Sequence, residues 1–409
     1  MKKGIVGFFM LFLFMTFVIA LPAVCYGADK EVVFLNLTDY TGPAVAVAVP
    51  QTKGLDDYFR YVNEKGGVDG VKLKYIGVDT RYDVSRAVSG YKRYRKTKNL
   101  LVVNEVSTPA AKLLLPMVNR DKVVLLANAA GEFQAHIGRT FLWSPTYQDV
   151  FSAAVDWAVG DWKKKGKSGM PTIGLIAWDN DAGRVPFRGG KQYAENLGVK
   201  LLKPEFFPPG TSDHTIYLIR LKKADYIYIA SCSDPAPTNI IRDGHRIGMR
   251  YPETTFMSDI YGPDWNIGLE AYKDELQGAV VTSYYFRGTD AVEHPLAKLL
   301  WPKYRKKPMS EMMPQYLGGM AIAMAFEAAV KIALKDVGYA KINGDAMFTA
   351  YQKLTGQNVY QGIQAKCAYS PTSRRGSEAV RFYQVKDDVM VPITGWVKTP
   401  DAVSLHKWD

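Results

Sequence analysis

The chain has 409 residues, of which 47% are hydrophobic and 22% are charged, a balance typical of a globular protein with two or three domains. Its formal net charge is +12, but the basic clusters are scattered near predicted helix ends, which argues against nucleic-acid binding. The three cysteines and five histidines show no metal-ligand spacing, so we expect neither a metal nor another cofactor.

Residues 1–27 have the pattern of a signal peptide. Met1-Lys2-Lys3 provides a positive start, and an uncharged apolar run extends from Gly4 to Val24. Small residues at the −3 and −1 positions predict cleavage after Gly27 and export to the periplasm. The apolar run is also long enough to span a bilayer, so an uncleaved anchor is the alternative. A lipid anchor is not expected, because Val24 stands before Cys25 where a small residue is required.

The first predicted unit after the signal is β-α-β. An apolar strand, Val32–Leu37, leads into a polar turn. An amphipathic helix follows, with apolar side chains at helical spacing from Leu55 to Val62, and glycines end it at Gly66-Gly67. A second strand is predicted over Val71–Val78.

The same alternation continues along the chain. Further strands are predicted at Leu100–Val103, Val123–Ala127, Thr172–Ala177, Tyr226–Ala230, Thr255–Ser258 and Ala279–Ser283. Helices are predicted at Val84–Lys98, Pro109–Asn119, Val150–Lys165, Pro186–Leu197, Thr238–Ile247 and Gln315–Lys335. Strands separated by single helices predict parallel sheets covered on both faces.

The end of the chain departs from this alternation. The long helix from Gln315 and a helix near Asp345–Leu354 lack nearby strands, so we expect both to cover the first half. The tail Ala379–Val397 alternates like a hairpin, with its turn at Lys386-Asp387-Asp388.

Two motifs of the first unit resemble the leucine-binding family of periplasmic solute-binding proteins. They are the Thr41-Gly42-Pro43 turn after the first strand and the helix end Asn63-Glu64-Lys65-Gly66-Gly67-Val68-Asp69-Gly70. The resemblance extends roughly from Glu31 to Trp396. It implies an α/β fold of two Rossmann-like lobes with parallel sheets, joined by a three-strand hinge, the type I periplasmic binding fold.

The predicted N-terminal lobe is 28–146 plus 287–365, and the predicted C-terminal lobe is 147–286 plus 366–409. The hinge crossings are predicted near Ser144-Pro145, Tyr284–Phe286 and Ala365–Tyr369.

Ligands of open α/β sheets bind beyond the carboxyl ends of the strands, which selects two loops in the first lobe. Ser107 starts the helix after one strand, where it could serve only as an N-cap. The family holds a ligand carboxylate with a serine-rich turn at this point, and Ser107 is the match. In the next loop Ala130 matches a small residue of the family. Gly131 and Glu132 stand where the family has a hydroxyl, so only a backbone contact is predicted there, or a simple tight turn.

Three loops of the second lobe complete the predicted site. The family places an aromatic residue over the ligand where this chain has Ala182, so that contact is either lost or moved to Trp178. Ser233 matches a ligand-facing position of the family. Asp234 could take a ligand amine or only cap a helix. Tyr261 is predicted to face the cleft, and Asp259 lies one position from the acid that amino-acid binders use.

The sequence does not match the motifs that are typical of common enzyme classes. The segment from Gly160 to Ser168 resembles a P-loop, but it has one residue too many between its glycines and precedes a strand. We therefore predict no enzyme activity. Cys232 and Cys367 could form a disulfide in an oxidising compartment or remain as buried thiols.

The predicted function is that of a solute receptor for an ABC importer, with a permease and an ATPase as partners. The predicted ligand is a branched-chain or other amino acid, or a small carboxylate, aromatic ones included, captured by hinge closure. A monomer is expected. A ligand sensor on the same fold is the alternative function.

Overall fold

The computed structural model describes residues 30–128, 130–262 and 272–408. The predicted signal peptide lies outside the described residues. Within them the chain forms two sheets, each flanked by helices.

The first sheet has five strands in the order β2-β1-β3-β4-β5, and all neighbouring strands are parallel. Val32 and Phe34 belong to one buried cluster, whereas Val33 and Leu35 belong to another. Because successive side chains point to opposite faces, both faces of this sheet are covered, as in other parallel sheets. The strands are β1 Glu31–Thr38, β2 Lys72–Asp79, β3 Leu100–Glu105, β4 Val124–Ala127 and β5 Thr140–Leu142.

Helices connect these strands one by one. They are α1 Val45–Glu64, α2 Val84–Tyr94, α3 Thr108–Asp121 and α4 Glu132–Ala135.

The second sheet follows the order β13-β12-β11-β10-β9-β6-β7, with β8 paired to β6 and β14 paired to β12. Its central strands are parallel, and β12 adds an antiparallel edge. The strands are β6 Thr172–Trp178, β7 Lys200–Leu201, β8 Glu205–Phe207, β9 Tyr226–Ala230, β10 Thr255–Ser258, β11 Val280–Ser283, β12 Ala379–Lys386, β13 Val389–Pro392 and β14 Val397–Lys398.

The remaining helices follow in chain order. They are α5 Tyr147–Lys164, α6 Asp181–Arg184, α7 Phe187–Asn196, α8 Thr215–Leu221, α9 Ala236–Arg246, α10 Lys273–Leu276, α11 Gly288–Glu293, α12 Pro295–Arg305, α13 Gln315–Val337 and α14 Gly344–Gln352.

Helix α13 returns to the first sheet and completes its core. The Phe326 ring lies 5.1 Å from the ring of Phe34, between centroids. A Cβ added at Gly319 would lie 1.8 Å from the Gln51 carbonyl oxygen, so α13 and α1 approach backbone to backbone. This helix is long and apolar enough to cross a membrane, with a mean hydropathy of 1.7, but 72% of that stretch is buried inside the protein. Its apolar composition is therefore that of a core helix.

The chain passes three times between the two sheets. The first two passages follow β5 and β11, and the third precedes β12. Backbone hydrogen bonds tie the passages together, from the Phe286 amide to the Ile363 oxygen (2.9 Å) and from the Gly376 amide to the Ser144 oxygen (3.1 Å). The lobe boundaries stay a prediction, and one helix departs from them. Helix α11, predicted to belong to the first lobe, packs on the second sheet, where the Tyr383 hydroxyl donates to Asp290 (2.8 Å).

The fold class predicted from the sequence is confirmed. Strands β9 and β10 have the predicted bounds, and the tail hairpin turns at Asp387 and Asp388, whose φ angles of 49° and 62° suit a tight turn. The short strands β5, β7 and β8 were not predicted, because two or three residues carry no readable alternation.

Candidate functional site

A pocket lies between the lobes, where the carboxyl ends of both sheets meet. It encloses about 370 Å³ of space, including its mouth, and both lobes supply its walls. The lining residues are Ala44, Val47, Tyr82, Val106, Asn128, Tyr147, Trp178, Ala182, Ser231, Cys232, Ser233 and Tyr261.

The first-lobe wall comes from the loops after β1 to β4. Tyr82 follows β2 with a φ of 59°, a left-handed conformation that is costly for a tyrosine and is found mostly at functional positions. Asn128 donates a hydrogen bond from its side-chain amide to the Val106 carbonyl oxygen. This bond ties the loops after β3 and β4 into one surface.

The second-lobe wall is rich in aromatic groups. The hydroxyls of Tyr147 and Tyr261 lie 3.0 Å apart, and the Tyr261 hydroxyl donates to Asn128 Oδ1 across the cleft at 3.4 Å. Burial raises the pKa of both phenols well above the ordinary value, so they are neutral donors. Trp178 is 6% exposed, and within the described residues its indole Nε1 has no hydrogen-bond partner.

Buried carboxylates stand behind these walls and bind the loop backbones. Oε1 of Glu105 accepts from the Ser107 amide at 2.7 Å. Asp259 accepts from the amides of Ser231 (2.7 Å) and Tyr261 (2.9 Å). Burial raises the pKa of Glu105 to about 8 and that of Asp259 to about 7, and in Asp259 nearby Arg287 opposes the rise.

The loop after β1 follows the same plan. Asp39 is fully buried and accepts from the amides of Thr41 (3.2 Å) and Ala44 (2.7 Å). An acid of the chain itself thus holds the turn before α1, a position near the helix N-terminus that also suits the helix dipole.

An ion-pair network, hereafter the rim network, closes one side of the cleft. It consists of Lys112 and Glu132 from the first lobe and Asp181 and Arg188 from the second. Lys112 Nζ lies 2.7 Å from Glu132 Oε1 and also pairs with Asp181, and Arg188 Nη2 lies 3.0 Å from Asp181 Oδ1 and also pairs with Glu132. Both signs of charge therefore come from both lobes.

A neutral hydrogen bond also joins the lobes. The Ser233 hydroxyl donates to the Pro43 carbonyl oxygen at 3.0 Å. Together with the rim network, this contact defines a closed form of the cleft.

Three of the six site residues predicted from the sequence line the pocket, namely Trp178, Ser233 and Tyr261. The other three, Ser107, Ala130 and Gly131, lie behind it. Whether any of the six binds a ligand stays a prediction.

The three residues behind the pocket are held by packing. Ser107 is 1% exposed, and its hydroxyl has no hydrogen-bond partner among the described residues. Ala130 is fully buried. A Cβ on Gly131 would lie 2.3 Å from the Gln148 side-chain nitrogen, so this turn packs against α5.

Sequence reasoning missed several lining residues. Tyr82 lies in the loop that follows β2. The rule that ligands bind beyond strand ends selects this loop, but the predicted site does not include it. Asn128 begins a loop in which the sequence predicts only the later residues, Ala130 and Gly131, as part of the site. Tyr147 begins α5 directly after a passage between the lobes, and no strand-end signal marks it.

The two cysteines do not pair. Cys232 lines the pocket, whereas Cys367 is buried in a different core cluster from Cys232. Both are free thiols. Burial raises the pKa of the Cys232 thiol well above its ordinary value.

Comparisons with known proteins agree with this geometry. The sequence profile of the periplasmic binding protein family matches residues 32–389. No match is found among curated proteins.

Several solved structures have a similar fold. A branched-chain amino acid ABC transporter protein from Thermus thermophilus with bound valine has a TM-score of 0.79 and 18% identity, covering 92% of this chain and 98% of that one. A fatty acid ABC transporter substrate-binding protein from Thermomonospora curvata has a TM-score of 0.75 and 18% identity, covering 92% and 95%. An ABC transporter solute-binding protein from R. palustris in complex with 4-hydroxybenzoate has a TM-score of 0.71 and 16% identity, covering 90% and 97%.

The family match spans most of the chain, and the two sheets, the passages between them and the enclosed pocket are the features of a two-lobed binding protein. The chain therefore belongs to the periplasmic binding protein family, which places it outside the cytoplasm, and it has the fold of ABC-transporter solute-binding proteins.

Proposed function

We propose that the protein is the solute receptor of an ABC importer and captures a small molecule by closing its two lobes. The observation that carries this proposal is the pocket itself, whose walls come from both lobes and which the rim network closes. A ligand in this position contacts both lobes only in the closed form. Ligand binding therefore favours closure, as differential affinity requires.

The protein binds its ligand without converting it. Cys232 is the strongest potential nucleophile among the described lining residues, and the raised pKa keeps it a thiol. The sequence predicts an amino acid or a small carboxylate as ligand. Solved proteins of similar fold are described with valine, a fatty acid or 4-hydroxybenzoate, which supports a small organic solute.

The closed form would present a surface made by both lobes to a permease, whose ATPase drives import. We propose that the mature protein begins after residue 27 and acts as a periplasmic monomer. Stimulation of the ATPase of a reconstituted permease by the ligand-loaded protein supports transport. A ligand that binds but causes no such stimulation favours the sensor.

The binding site can be tested by filling the pocket. Ala182 lines it, so Ala182→Leu should block a ligand identified by native mass spectrometry or thermal-shift screening. Ala346→Leu, on α14 of the first lobe, is the matched control. We expect the ligand to raise the melting temperature of the wild type and the control but not of Ala182→Leu. Equal stabilisation of all three would place binding elsewhere and contradict the proposal.

A further inference from the structure

Several backbone amides around the pocket are already occupied by the chain's own acids. Free amides at strand ends and helix starts are the usual holders of a ligand anion. Here Asp39 takes amides at the start of α1, Glu105 takes the Ser107 amide, and Asp259 takes two amides of the second lobe. A ligand carboxylate would have to displace these side chains or lie beside them, against like charge.

Little positive charge lies at the pocket walls. None of the described residues that line the pocket is a lysine or an arginine. Lys112 and Arg188 are engaged by Glu132 and Asp181 in the rim network. The fully buried Arg287 donates to the Ile260 carbonyl oxygen and offsets part of the charge of Asp259, but not that of Glu105.

The walls are suited to a cation. Tyr82, Tyr147, Trp178 and Tyr261 all line the pocket. The faces of such rings attract ammonium groups, and aromatic cages are the usual sites for organic cations.

Buried acids lie behind the rings in both lobes, and a cation in the pocket favours their ionised forms. Glu105 and Asp39 act on the Tyr82 phenol, and Asp259 acts on those of Tyr147 and Tyr261. Glu105 is fully buried, and within the described part of the chain its Oε2 has no hydrogen-bond partner. The pocket therefore combines aromatic side chains with a buried acid behind them, Glu105, whose Oε2 has no partner within the described residues.

We propose that the ligand is a small organic cation, an amine or quaternary ammonium compound without a carboxylate. This inference rests on the proposed receptor function and specifies its ligand class. The aromatic faces and the field of the buried acids stabilise the cation, whereas a carboxylate of equal size finds its amides occupied.

Three probes of nearly equal size and different charge test the inference. They are benzylamine, benzyl alcohol and benzoate, measured by calorimetry at pH 8.5 with the wild-type protein, in which Glu105 and Asp259 are then mostly ionised. We expect benzylamine to bind at least tenfold more tightly than benzyl alcohol, and benzoate to bind most weakly. Tighter binding of benzoate than of benzylamine, or binding of none of the three at millimolar concentration, would overturn the inference.

A matched pair of variants sharpens the test. Glu105→Gln keeps the shape and removes the charge, and should weaken benzylamine about tenfold while leaving benzyl alcohol unchanged. Glu64→Gln makes the same change at the far end of α1 and should alter neither. Equal benzylamine affinity in Glu105→Gln and wild type would contradict the role of this acid. The wild-type comparison does not depend on either variant folding.

The outcomes also separate this inference from the proposed function. A carboxylate or amino acid that binds and is blocked by Ala182→Leu would preserve the receptor function and overturn the cation. A thermal-shift screen in which no amine, alcohol, carboxylate or amino acid stabilises the protein would contradict both.

Discussion

Acidic side chains have different partners in two regions of the same cleft. In the rim network, Glu132 and Asp181 each contact Lys112 and Arg188, so their charge is matched within the chain. Behind the pocket, Glu105 and Asp259 are bound by backbone amides, and burial raises the pKa of both. The rim thus holds the lobes together through matched charges, whereas the acids behind the pocket hold its loops through backbone amides and change their ionisation with the charge of a ligand.

We infer from this difference that the rim network controls closure of the cleft and that the pocket controls the preference among ligands. Changes in the rim should alter closure and so weaken every ligand by a similar factor. Changes in the pocket should alter the preference among ligands while closure persists. Each prediction below tests one side of this division.

Charge reversal in the rim should have the largest effect. Arg188→Glu places a carboxylate beside Glu132 and Asp181, and like charges at such distances cost about 3 kcal/mol. We expect affinity for all ligands to fall roughly 100-fold. Calorimetry measures the affinity, and small-angle scattering should show a larger radius of gyration.

A control and a rescue accompany this variant. Arg220→Glu reverses a charge that pairs with Glu205 inside the second lobe and should leave affinity unchanged. Adding Glu132→Lys to Arg188→Glu exchanges the two charges and should recover part of the loss. If Arg188→Glu changed which ligand binds most tightly, the proposal that the rim network controls only closure would be wrong.

The pocket acids should make stability depend on pH. The pKa of Glu105 is raised from 4.5 to about 8, so the folded state holds a proton that the unfolded state has lost above pH 4.5. Its contribution to stability is complete below that pH and declines as pH rises toward 8, by about 3.5 kcal/mol between pH 5 and pH 8.

Chemical denaturation of wild type and Glu105→Gln across that range measures this contribution. The difference between the two proteins isolates Glu105 from other titrating groups, and the variant should lose less stability as pH rises. Parallel pH profiles would show that Glu105 does not titrate in this range.

Removing an aromatic wall should reduce affinity without opening the cleft. Trp178→Leu leaves the rim network intact and should cost about 1.4 kcal/mol of binding, or roughly tenfold. Trp178 also packs in a buried core cluster with Ile176 and Ile227, so the melting temperature of the Trp178→Leu variant should fall as well. Scattering of the ligand-bound variant should match that of the ligand-bound wild type, and an expanded form would contradict this prediction.

Loss of the neutral contact between the lobes should have the smallest effect. Ser233→Ala removes the hydrogen bond from the Ser233 hydroxyl to the Pro43 carbonyl oxygen, at a cost of about 0.5–1 kcal/mol. Affinity should fall two- to fivefold. Ser404→Ala, which removes a hydroxyl that bonds only within the last turn of the chain, should change nothing. A loss as large as that of Arg188→Glu would mean that this bond, not the rim network, determines closure.

Much of the fold could be predicted from the sequence because its signals are local. The apolar runs of β9 and β10 are bounded by turn residues, so their bounds were predicted without error. The glycines after Asn63 end α1 because Gly66 and Gly67 have φ angles of 102° and 79°. Helix α13 was predicted as cover for the first half, and it packs there.

The candidate site was predicted only in part, because its members are joined by contacts that sequence spacing does not show. The strand-end rule found Trp178 and Tyr261, but it also selected Gly131, which packs on Gln148. Ser107 looked like a free anion holder, but Glu105 two residues earlier already accepts from its amide.

The amino-acid sequence was enough to predict an α/β chain of two repeating halves, since hydrophobic periodicity, glycine stops and strand-end loops are properties of neighbouring residues. The tertiary structure alone decided which aromatic groups enclose the pocket and that Lys112 meets Asp181 across the cleft. Burial also belongs to the folded chain. It leaves Glu105 with a raised pKa, and it is exclusion from water that gives an ordinary acid this property.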